Sequence, residues 1–256
     1  MIKNKRKIKE FWEERAILKP SSKLVTHRDV DQVTIEIDKI YDLLTEDDKL
    51  MDIGCGSGYS TRIYAQKCKK VLGIDYSNNM IDVAKKNYIY ENLNFKCQDV
   101  TKLSEFDEKY SVVLSTRCLI NLDSWEKQKD TIVRIHRCLN NDGKFILAEG
   151  TLQGRQNLNN LRTKVGLEEM PPVWHNLDFD EEKLDTFMND IFTLEDTHTF
   201  GFYDVLTRVQ YPLSIFPEAP QFGTSFHNAT RKLFQSFSID PLERYSRMFI
   251  RVYRKK

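Results

Sequence analysis

Three glycines fall within five consecutive positions of a chain that is otherwise poor in glycine. The 256-residue sequence has 10 glycines, and Gly54, Gly56 and Gly58 are three of them. That is about 4% of the chain, against a usual share of ~7%. Glycine adopts backbone conformations that strain other residues, and it lets a ligand approach the main chain closely. Asp52 precedes the first of them, and its carboxylate can accept hydrogen bonds from a cationic amino group.

The spacing of the glycines indicates whether the turn suits a dinucleotide or a ligand with a cationic group. In the dinucleotide fingerprint G-x-G-x-x-G, the pyrophosphate lies on the N-terminus of the following helix. This chain has G-x-G-x-G instead, with Tyr59 at the sixth position. The acidic Asp52 would also be a poor neighbour for a pyrophosphate. The turn therefore favours a ligand with a cationic group over a dinucleotide.

Strand and helix patterns alternate around this turn with short connections. Short apolar segments predict strands at 49–53, 71–75, 94–97, 110–114 and 144–149. Helical spacing of apolar residues predicts helices over 3–18, 33–44, 58–68, 78–90 and 124–139. Asn141-Asp142-Gly143 is expected to form a turn. This alternation is typical of an α/β protein with a parallel sheet and helices on both faces.

The alternation stops after Gly150. Residues 151–185 are polar and are expected to be irregular, with a short helix near 180–188. Two late strand candidates, 191–200 and 247–253, enclose a proline-rich insertion and suit an antiparallel pair at the sheet edge. We expect one domain, 1–256, with a core at about 28–150 and 186–256 and a lid at about 1–27, 151–185 and 203–244.

Composition excludes several kinds of partner. Lys and Arg number 39 and Asp and Glu 38, and this balance argues against a nucleic acid or an anionic membrane as the partner. The apolar runs are far shorter than a membrane span, which needs about 20 residues. Five cysteines without metal-site spacing indicate reduced thiols in a cytoplasmic protein. We expect a small-molecule substrate and no bound metal, while the oligomeric state is not indicated.

The segment Asp52-Ile53-Gly54-Cys55-Gly56-Ser57-Gly58 resembles motif I of the class I S-adenosylmethionine-dependent methyltransferases. The resemblance covers about 28–150. It implies a Rossmann-like class I methyltransferase fold with a seven-stranded, mostly parallel sheet, helices on both faces and an inserted lid. It also implies S-adenosylmethionine as the methyl donor and S-adenosylhomocysteine as the product.

The resemblance assigns roles to residues at successive strand ends. Asp75 matches the acidic residue that binds both ribose hydroxyls, and Asp99 matches the acceptor for the adenine amine. Met80 matches an apolar residue that packs on the adenine, and Ser115 belongs to the loop that faces the methyl group. The expected cofactor-binding residues are Asp52, Gly54, Cys55, Gly56, Gly58, Asp75, Tyr76, Met80, Asp99, Val100 and Ser115.

The acceptor side resembles a group of bacterial small-molecule methyltransferases. Its members share an Arg-x-Leu-Ile-Asn turn, a Glu that ends strand five, an Asn-x-x-Arg pair and a Trp-His-Asn segment. The resemblance hints at a hydroxyl of a sugar or related metabolite in surface-polysaccharide biosynthesis. It implies catalytic roles for Glu149, His175 and Arg117. Substrate contacts are expected from Asn121, Arg162, Trp174 and His227.

The nature of the acceptor leaves several alternatives open. A hydroxyl acceptor needs a base, for which Glu149, His175, His27 and His227 are candidates, whereas a carboxylate or phosphate acceptor would depend on arginines. The Asn/Asp-Pro-Pro-Tyr/Phe tetrapeptide of amino-adenine DNA methyltransferases is replaced by Ser115-Thr116-Arg117-Cys118, which argues against that class. A methyltransferase for RNA or protein, and a non-catalytic S-adenosylmethionine-binding partner protein, remain alternatives.

Overall fold

A seven-stranded sheet organises the chain, whose computed structural model describes residues 5–18, 29–103 and 108–256. The spatial order is β3-β2-β1-β4-β5-β7-β6. Strands β1 to β5 pair in parallel, and β7 runs antiparallel to both β5 and β6. The predicted, mostly parallel sheet is therefore confirmed, and the last strand lies between β5 and β6. The strands are β1 (Lys49–Ile53), β2 (Lys70–Asp75), β3 (Leu93–Cys97), β4 (Tyr110–Thr116), β5 (Leu139–Gly150), β6 (Phe192–Thr199) and β7 (Met248–Lys255).

Helices connect the strands, and several of them begin at a side chain that accepts a backbone hydrogen bond, such as Asp29, Ser77 and Ser124. Among the described residues, no helix is long and apolar enough to cross a membrane. The helices are α1 (Lys5–Leu18), α2 (Val30–Leu43), α3 (Thr61–Tyr64), α4 (Asn78–Asn87), α5 (Trp125–Cys138), α6 (Leu152–Lys164), α7 (Glu181–Met188), α8 (Gly201–Val205), α9 (Tyr211–Ile215) and α10 (Ser225–Phe234).

Apolar side chains cover both faces of the sheet, as the run of buried strand residues predicts. Leu50 and Val112 belong to one buried cluster, and Met51 and Val113 belong to the other. Successive side chains of a strand point to opposite faces, so each strand contributes to both clusters. Helices on both faces leave only the ends of the strands free to hold a polar site.

Two local predictions differ from the structure. The expected turn at 141–143 is part of β5, where the pairing with β4 shifts register and Asp142 has a φ of 59°. Tyr110 pairs with Leu139 and Val112 with Lys144, so residues 140–143 bulge out of the ladder before the pairing resumes. The helix expected over 58–68 is helical only at Thr61–Tyr64, because the glycine turn extends into its start.

The segment after β5 is more regular than predicted. Residues 152–164 form α6, which Thr151 caps by accepting from the backbone N–H of Gly154. The sequence of α6 is polar, and Leu158 is its one buried large apolar residue. The sequence therefore lacks the repeated apolar positions that predict a helix. A β-carbon on Gly154 would lie 1.6 Å from the carbonyl oxygen of Ser246, which shows how closely α6 packs on the chain before β7.

The insertion between β6 and β7 consists of α8, α9 and α10, with a π-helical turn at Leu206–Gln210. It packs on α2 and α6. Ion pairs hold it there, for example Asp31–Arg231 at 2.9 Å. The insertion therefore packs against the helix that precedes β1 and the helix that follows β5.

Candidate functional site

A cleft opens at the carboxyl ends of β1 to β4. Several predicted site residues line it, together with residues that the sequence did not single out, such as Lys127. The lining residues are Ile8, Gly54, Asp75, Tyr76, Gln98, Asp99, Val100, Thr101, Cys118, Asn121, Leu122, Asp123 and Lys127.

The glycine turn needs its glycines for conformation and for packing. Gly54, Gly56 and Gly58 have φ values of 71°, 53° and 77°, in the left-handed region that other residues rarely adopt. A β-carbon on Gly54 would lie 2.6 Å from the β-carbon of Cys118 in the loop after β4. A β-carbon on Gly58 would lie 2.6 Å from the Phe95 ring on β3. The turn is thus fitted tightly between Phe95 of β3 and Cys118 of the loop after β4.

A Gly54→Ala variant is expected to lose about 3 kcal/mol of unfolding free energy, because left-handed strain adds to overpacking against Cys118. Gly166→Ala is the matched control: Gly166 has a φ of 82° but no atom within 4 Å of its would-be β-carbon. The control should lose only the strain, about 1 kcal/mol. Urea unfolding measures both, and equal losses would contradict the packing argument.

Asp75 ends β2 and lines the cleft directly. Its Oδ2 accepts from the Gly56 N–H at 3.0 Å, and its Oδ1 accepts from the Ser77 N–H at 2.9 Å. Burial raises the pKa of Asp75 to about 6, although these hydrogen bonds oppose the shift. Each carboxylate oxygen has a second lone pair, so two further donors can bind. The geometry suits a ligand with a pair of adjacent hydroxyl groups.

Asp52 lies one layer below, outside the residues that line the cleft. Its Oδ2 accepts from the Thr61 hydroxyl at 2.6 Å, and the side chain is 4% exposed. Burial raises the pKa of Asp52 to about 7, and the nearby charge of Asp75 adds to the shift. The negative charge of Asp52 can therefore attract a cationic group in the cleft across the glycine turn, without direct contact.

The segment after β3 supplies a second carboxylate to the cleft. Asp99 caps the short helix Val100–Lys102, and its Oδ1 accepts from the N–H and hydroxyl of Thr101 at 2.9 and 2.7 Å. Val100 lines the cleft beside it. Met80, expected to face the ligand, is instead 1% exposed and packs against Trp12 of α1. Trp12 thus covers the apolar surface that was expected to receive a planar ring.

The loop after β4 is held from below by Glu149, which is fully buried. Oε1 of Glu149 accepts from the Ser115 hydroxyl at 2.6 Å and from the N–H groups of Cys118 and Leu119 at 3.0 and 2.9 Å. Its Oε2 accepts from the Ile120 N–H at 3.4 Å. Burial raises the pKa of Glu149 to about 7 against these hydrogen bonds.

This placement corrects two predicted roles. Ser115 and Glu149 were expected to contact cofactor and substrate, but the Ser115 hydroxyl donates to Glu149 and both side chains have no exposed surface. The carboxylate of Glu149 positions a loop whose residues Cys118 and Asn121 line the cleft. Because Glu149 accepts from three backbone N–H groups and the Ser115 hydroxyl, its carboxylate faces the loop rather than a ligand.

The Arg117 side chain was predicted to reach the substrate in the cleft, but it points to α2 instead. Its φ is 49°, and its guanidinium forms an ion pair with the buried Glu36 of α2. The prediction of a catalytic Arg117 in the cleft is therefore not supported by its side-chain direction. Asn121 does line the cleft: its Nδ2 donates to the Arg117 carbonyl at 2.7 Å, and its Oδ1 accepts from the Trp12 indole at 3.3 Å.

His175 and Trp174 pack around α1 near this edge of the cleft. The His175 ring lies 5.0 Å from that of Phe11 and 5.4 Å from that of Trp12, measured between centroids. His175 is 9% exposed, whereas Trp174 is 52% exposed. Since Trp12 donates to the cleft residue Asn121, His175 lies in the layer directly behind the rim.

The other two predicted substrate residues lie at the insertion, outside the lining of the cleft. Arg162 donates to the carbonyl oxygens of Glu168, at 2.8 Å, and of Arg208. His227 is 1% exposed, and its Nδ1 lies 2.8 Å from the Thr224 hydroxyl. The prediction that His227 reaches a substrate is not supported by this enclosure, and His27 lies outside the described residues.

Residues 50–143 match a protein family described as a methyltransferase domain. Malonyl-[acyl-carrier protein] O-methyltransferase of Priestia megaterium is 28% identical over 109 residues, which are 41% of this chain and 38% of that protein. Ubiquinone biosynthesis O-methyltransferase of Coxiella burnetii is 32% identical over 66 residues, 25% of this chain and 28% of that protein. The chain thus matches less than half the length of either relative.

The likeness to solved structures extends over nearly the whole chain. Magnesium protoporphyrin IX methyltransferase of Synechocystis, solved with bound S-adenosylhomocysteine, superposes with a TM-score of 0.63 and 15% sequence identity. The match covers 99% of this chain and 100% of that one. At this identity the likeness concerns the fold, and it includes the β6–β7 edge beyond the matched domain.

Proposed function

We propose, on the premise that this chain carries a class I S-adenosylmethionine-dependent methyltransferase domain, that it transfers the methyl group of S-adenosylmethionine to a small polar acceptor. The observation that carries the proposal is the convergence of Gly54, Asp75 and Asp99 on one cleft. A left-handed glycine turn and two carboxylates at successive strand ends suit a nucleoside bearing a cationic side chain.

The residues of the cleft fit the parts of S-adenosylmethionine one by one. Asp75 has lone pairs for the two ribose hydroxyls, and Asp99 can accept from the adenine amine. The turn at Gly54–Gly58 allows close approach of the methionine part, with the charge of Asp52 below it. When bound, S-adenosylmethionine supplies a methyl group on a positively charged sulfur.

The chain itself contributes position, shelter and a proton acceptor. Glu149 fixes the loop that carries Asn121, which lines the cleft beside the acceptor side. When the acceptor is held in line with the methyl group, the reaction no longer depends on a chance collision in the right orientation, and it is faster for that reason. We assign His175, which packs on Trp12 behind the rim, to remove the proton of a hydroxyl acceptor, and this role requires its ring to turn past Trp12 into the cleft.

We further propose that the acceptor atom is the hydroxyl oxygen of a sugar or related metabolite. Both relatives are named O-methyltransferases, which supports oxygen as the nucleophile. A surface-polysaccharide pathway is the setting that the sequence resemblance favours. The near balance of 39 basic and 38 acidic residues supports a small molecule over RNA.

The affinity for S-adenosylhomocysteine is expected to rise about tenfold between pH 5 and pH 7. The pKa of Asp75 is raised to about 6, so the carboxyl is mostly protonated at pH 5 and mostly ionised at pH 7. The ionised carboxylate accepts hydrogen bonds from both ribose hydroxyls. In the protonated carboxyl, one oxygen carries the proton and becomes a donor, so it accepts less well. Asp52, with a pKa of about 7, should extend the rise toward pH 8.

Isothermal titration calorimetry across this pH range measures the effect. Asp75→Asn should bind more weakly and should lose most of the rise between pH 5 and pH 7, because the titrating group is gone. A wild-type affinity that is constant across the range would contradict the ribose role of Asp75.

Transfer of a tritiated methyl group tests the proposed acceptor class. The protein is incubated with methyl-labelled S-adenosylmethionine and a bacterial cell extract, which is then separated into metabolites, RNA and protein. Label is expected in the metabolites and should be absent with Asp75→Ala. Label in RNA or protein would instead support the macromolecular alternative, and no label in any fraction would oppose methyl transfer.

A further inference from the structure

A buried group of charged side chains, here called the arginine cluster, lies where α2, α6, the loop after β4 and the insertion meet. Most of its members are less than one-tenth exposed. Charged groups are rarely buried in such number without a function or a full set of partners. The cluster consists of the cations Arg117, Arg162, Arg208 and Arg247, the anions Asp29, Glu36 and Asp204, and the amide of Gln32.

Hydrogen bonds join Asp29, Arg208, Gln32, Arg247 and Asp204 into one network, beside the separate pair of Arg117 and Glu36. Arg208 pairs with Asp29 and donates to Gln32 Oε1 at 3.2 Å. Arg247 donates to the same Gln32 oxygen at 3.0 Å, and its Nε donates to Asp204 Oδ1 at 2.9 Å. One shared amide oxygen therefore links a residue of the insertion to a residue that precedes β7.

The cluster has one more guanidinium than it has buried carboxylates. Arg162 is the unmatched cation, because both of its hydrogen bonds go to carbonyl oxygens, those of Glu168 and Arg208. Burial lowers the pKa of Arg162, and the nearby charges of Arg208 and Arg247 add to the shift. Glu168 is exposed, and its charge acts on Arg162 against the other shifts of the Arg162 pKa. Arg162 thus has no carboxylate as a hydrogen-bond partner, and the carboxylate whose charge acts on it, Glu168, is exposed.

Two buried atoms of the cluster have no hydrogen-bond partner among the described residues. They are Nη1 of Arg208, whose side chain is 6% exposed, and Oε1 of Glu36, whose side chain is 1% exposed. Buried donors and acceptors are nearly always satisfied, so an open pair of this kind needs an explanation. The donor can serve an anionic oxygen and the acceptor can serve a hydroxyl, which a single polar ligand could provide.

The cluster stands on the acceptor side of the cleft. Arg117 directly precedes Cys118, which lines the cleft. Arg162 follows β5 and Arg208 follows β6, and both strands end at the same edge of the sheet as β1 and β4. In open α/β sheets, ligands bind beyond these strand ends. The cluster residues do not line the cleft themselves, and Arg117 beside Cys118 is where an acceptor longer than the cleft would reach the cluster.

We infer that the arginine cluster is a subsite for an anionic group of the methyl acceptor, a carboxylate or a phosphate, bound by Arg208 and Arg162. The inference rests on the proposed function, since it names the chemical class of the acceptor. Guanidinium groups match the paired oxygens of both anions and form charge-assisted hydrogen bonds with them. Glu36 accepts from a hydroxyl of the same molecule.

Titration calorimetry with simple anions tests the subsite on the full chain, with and without S-adenosylhomocysteine. The probes are malonate for carboxylates, inorganic phosphate for phosphates, and uncharged malonamide as the matched neutral compound. At least one anion is expected to bind at least tenfold more tightly than malonamide, and the stronger of the two identifies the anion. Arg162→Gln and Arg208→Lys should each weaken that anion by about tenfold or more.

Lys164→Gln is the matched control, because it removes one positive charge from the same helix at an exposed position. It should change anion affinity less than twofold. An equal loss in the control, binding of malonamide as tight as that of the anions, or no binding of either anion would overturn the subsite. Binding of S-adenosylhomocysteine is recorded separately in every variant. Its absence from the wild-type chain would refute the proposed function, whatever the anions do.

Discussion

Replacing Asp75 by alanine is expected to weaken the binding of S-adenosylmethionine and S-adenosylhomocysteine alike, by at least about a hundredfold. Each ribose hydroxyl donates to a carboxylate oxygen, and a hydrogen bond to a charged group contributes about 1.5–3 kcal/mol. Losing two of them costs about 3 kcal/mol or more, which is a hundredfold or more in affinity. The variant also frees the N–H groups of Gly56 and Ser77, which loosens the turn. Calorimetric titration of both ligands measures the loss.

Asp82→Ala is the matched control for this variant. Asp82 is an exposed carboxylate on α4, seven positions further along the chain, and it does not line the cleft. Its replacement should change neither affinity by more than twofold. Because the ribose is common to both ligands, a loss confined to one of them would contradict the assignment of Asp75. Circular dichroism spectra should show that both variants remain folded.

Replacing Glu149 by alanine is expected to cost about 4 kcal/mol of unfolding free energy. Three backbone N–H groups and the Ser115 hydroxyl would lose their acceptor in the interior. Each buried donor left unsatisfied costs about 1–3 kcal/mol, and water that enters the new space recovers part of this. The loop should also become mobile, so that amide hydrogens of residues 118–120 exchange faster than in the wild type.

Glu195→Ala is the matched control, because Glu195 forms an exposed ion pair with Arg254 at 2.8 Å. Exposed pairs contribute about 1 kcal/mol at most. The loss of unfolding free energy in Glu149→Gln should lie between those of Glu149→Ala and Glu195→Ala. The amide retains one acceptor oxygen but places an N–H₂ group against the loop amides. Unchanged exchange at 118–120 in Glu149→Ala would show that Glu149 does not position the loop.

The fold was largely predictable because its signals are local. Short apolar segments such as 49–53 and 110–114 alternate with amphipathic helices, and this order allows few architectures besides a parallel sheet. The glycine turn and Asp75 were predictable for the same reason, since the place of each residue in its own strand puts it at the carboxyl edge.

Side-chain direction was not predictable where it depends on distant partners. Glu149 ends β5 as expected, but only the folded chain shows that its carboxylate turns under the loop after β4. The arginine cluster joins residues as far apart as Asp29 and Arg208. One sequence signal did exist: Glu36 shares a face of α2 with Val33 and Ile40, and a carboxylate in an apolar face calls for a buried partner.

The most direct test of the central claim is a calorimetric titration of the wild-type chain with S-adenosylhomocysteine at pH 7.5. We predict saturable binding at one site per chain, with competition by S-adenosylmethionine and none by NAD. Absence of binding by both S-adenosylhomocysteine and S-adenosylmethionine would contradict the claim that this cleft holds the methyl donor.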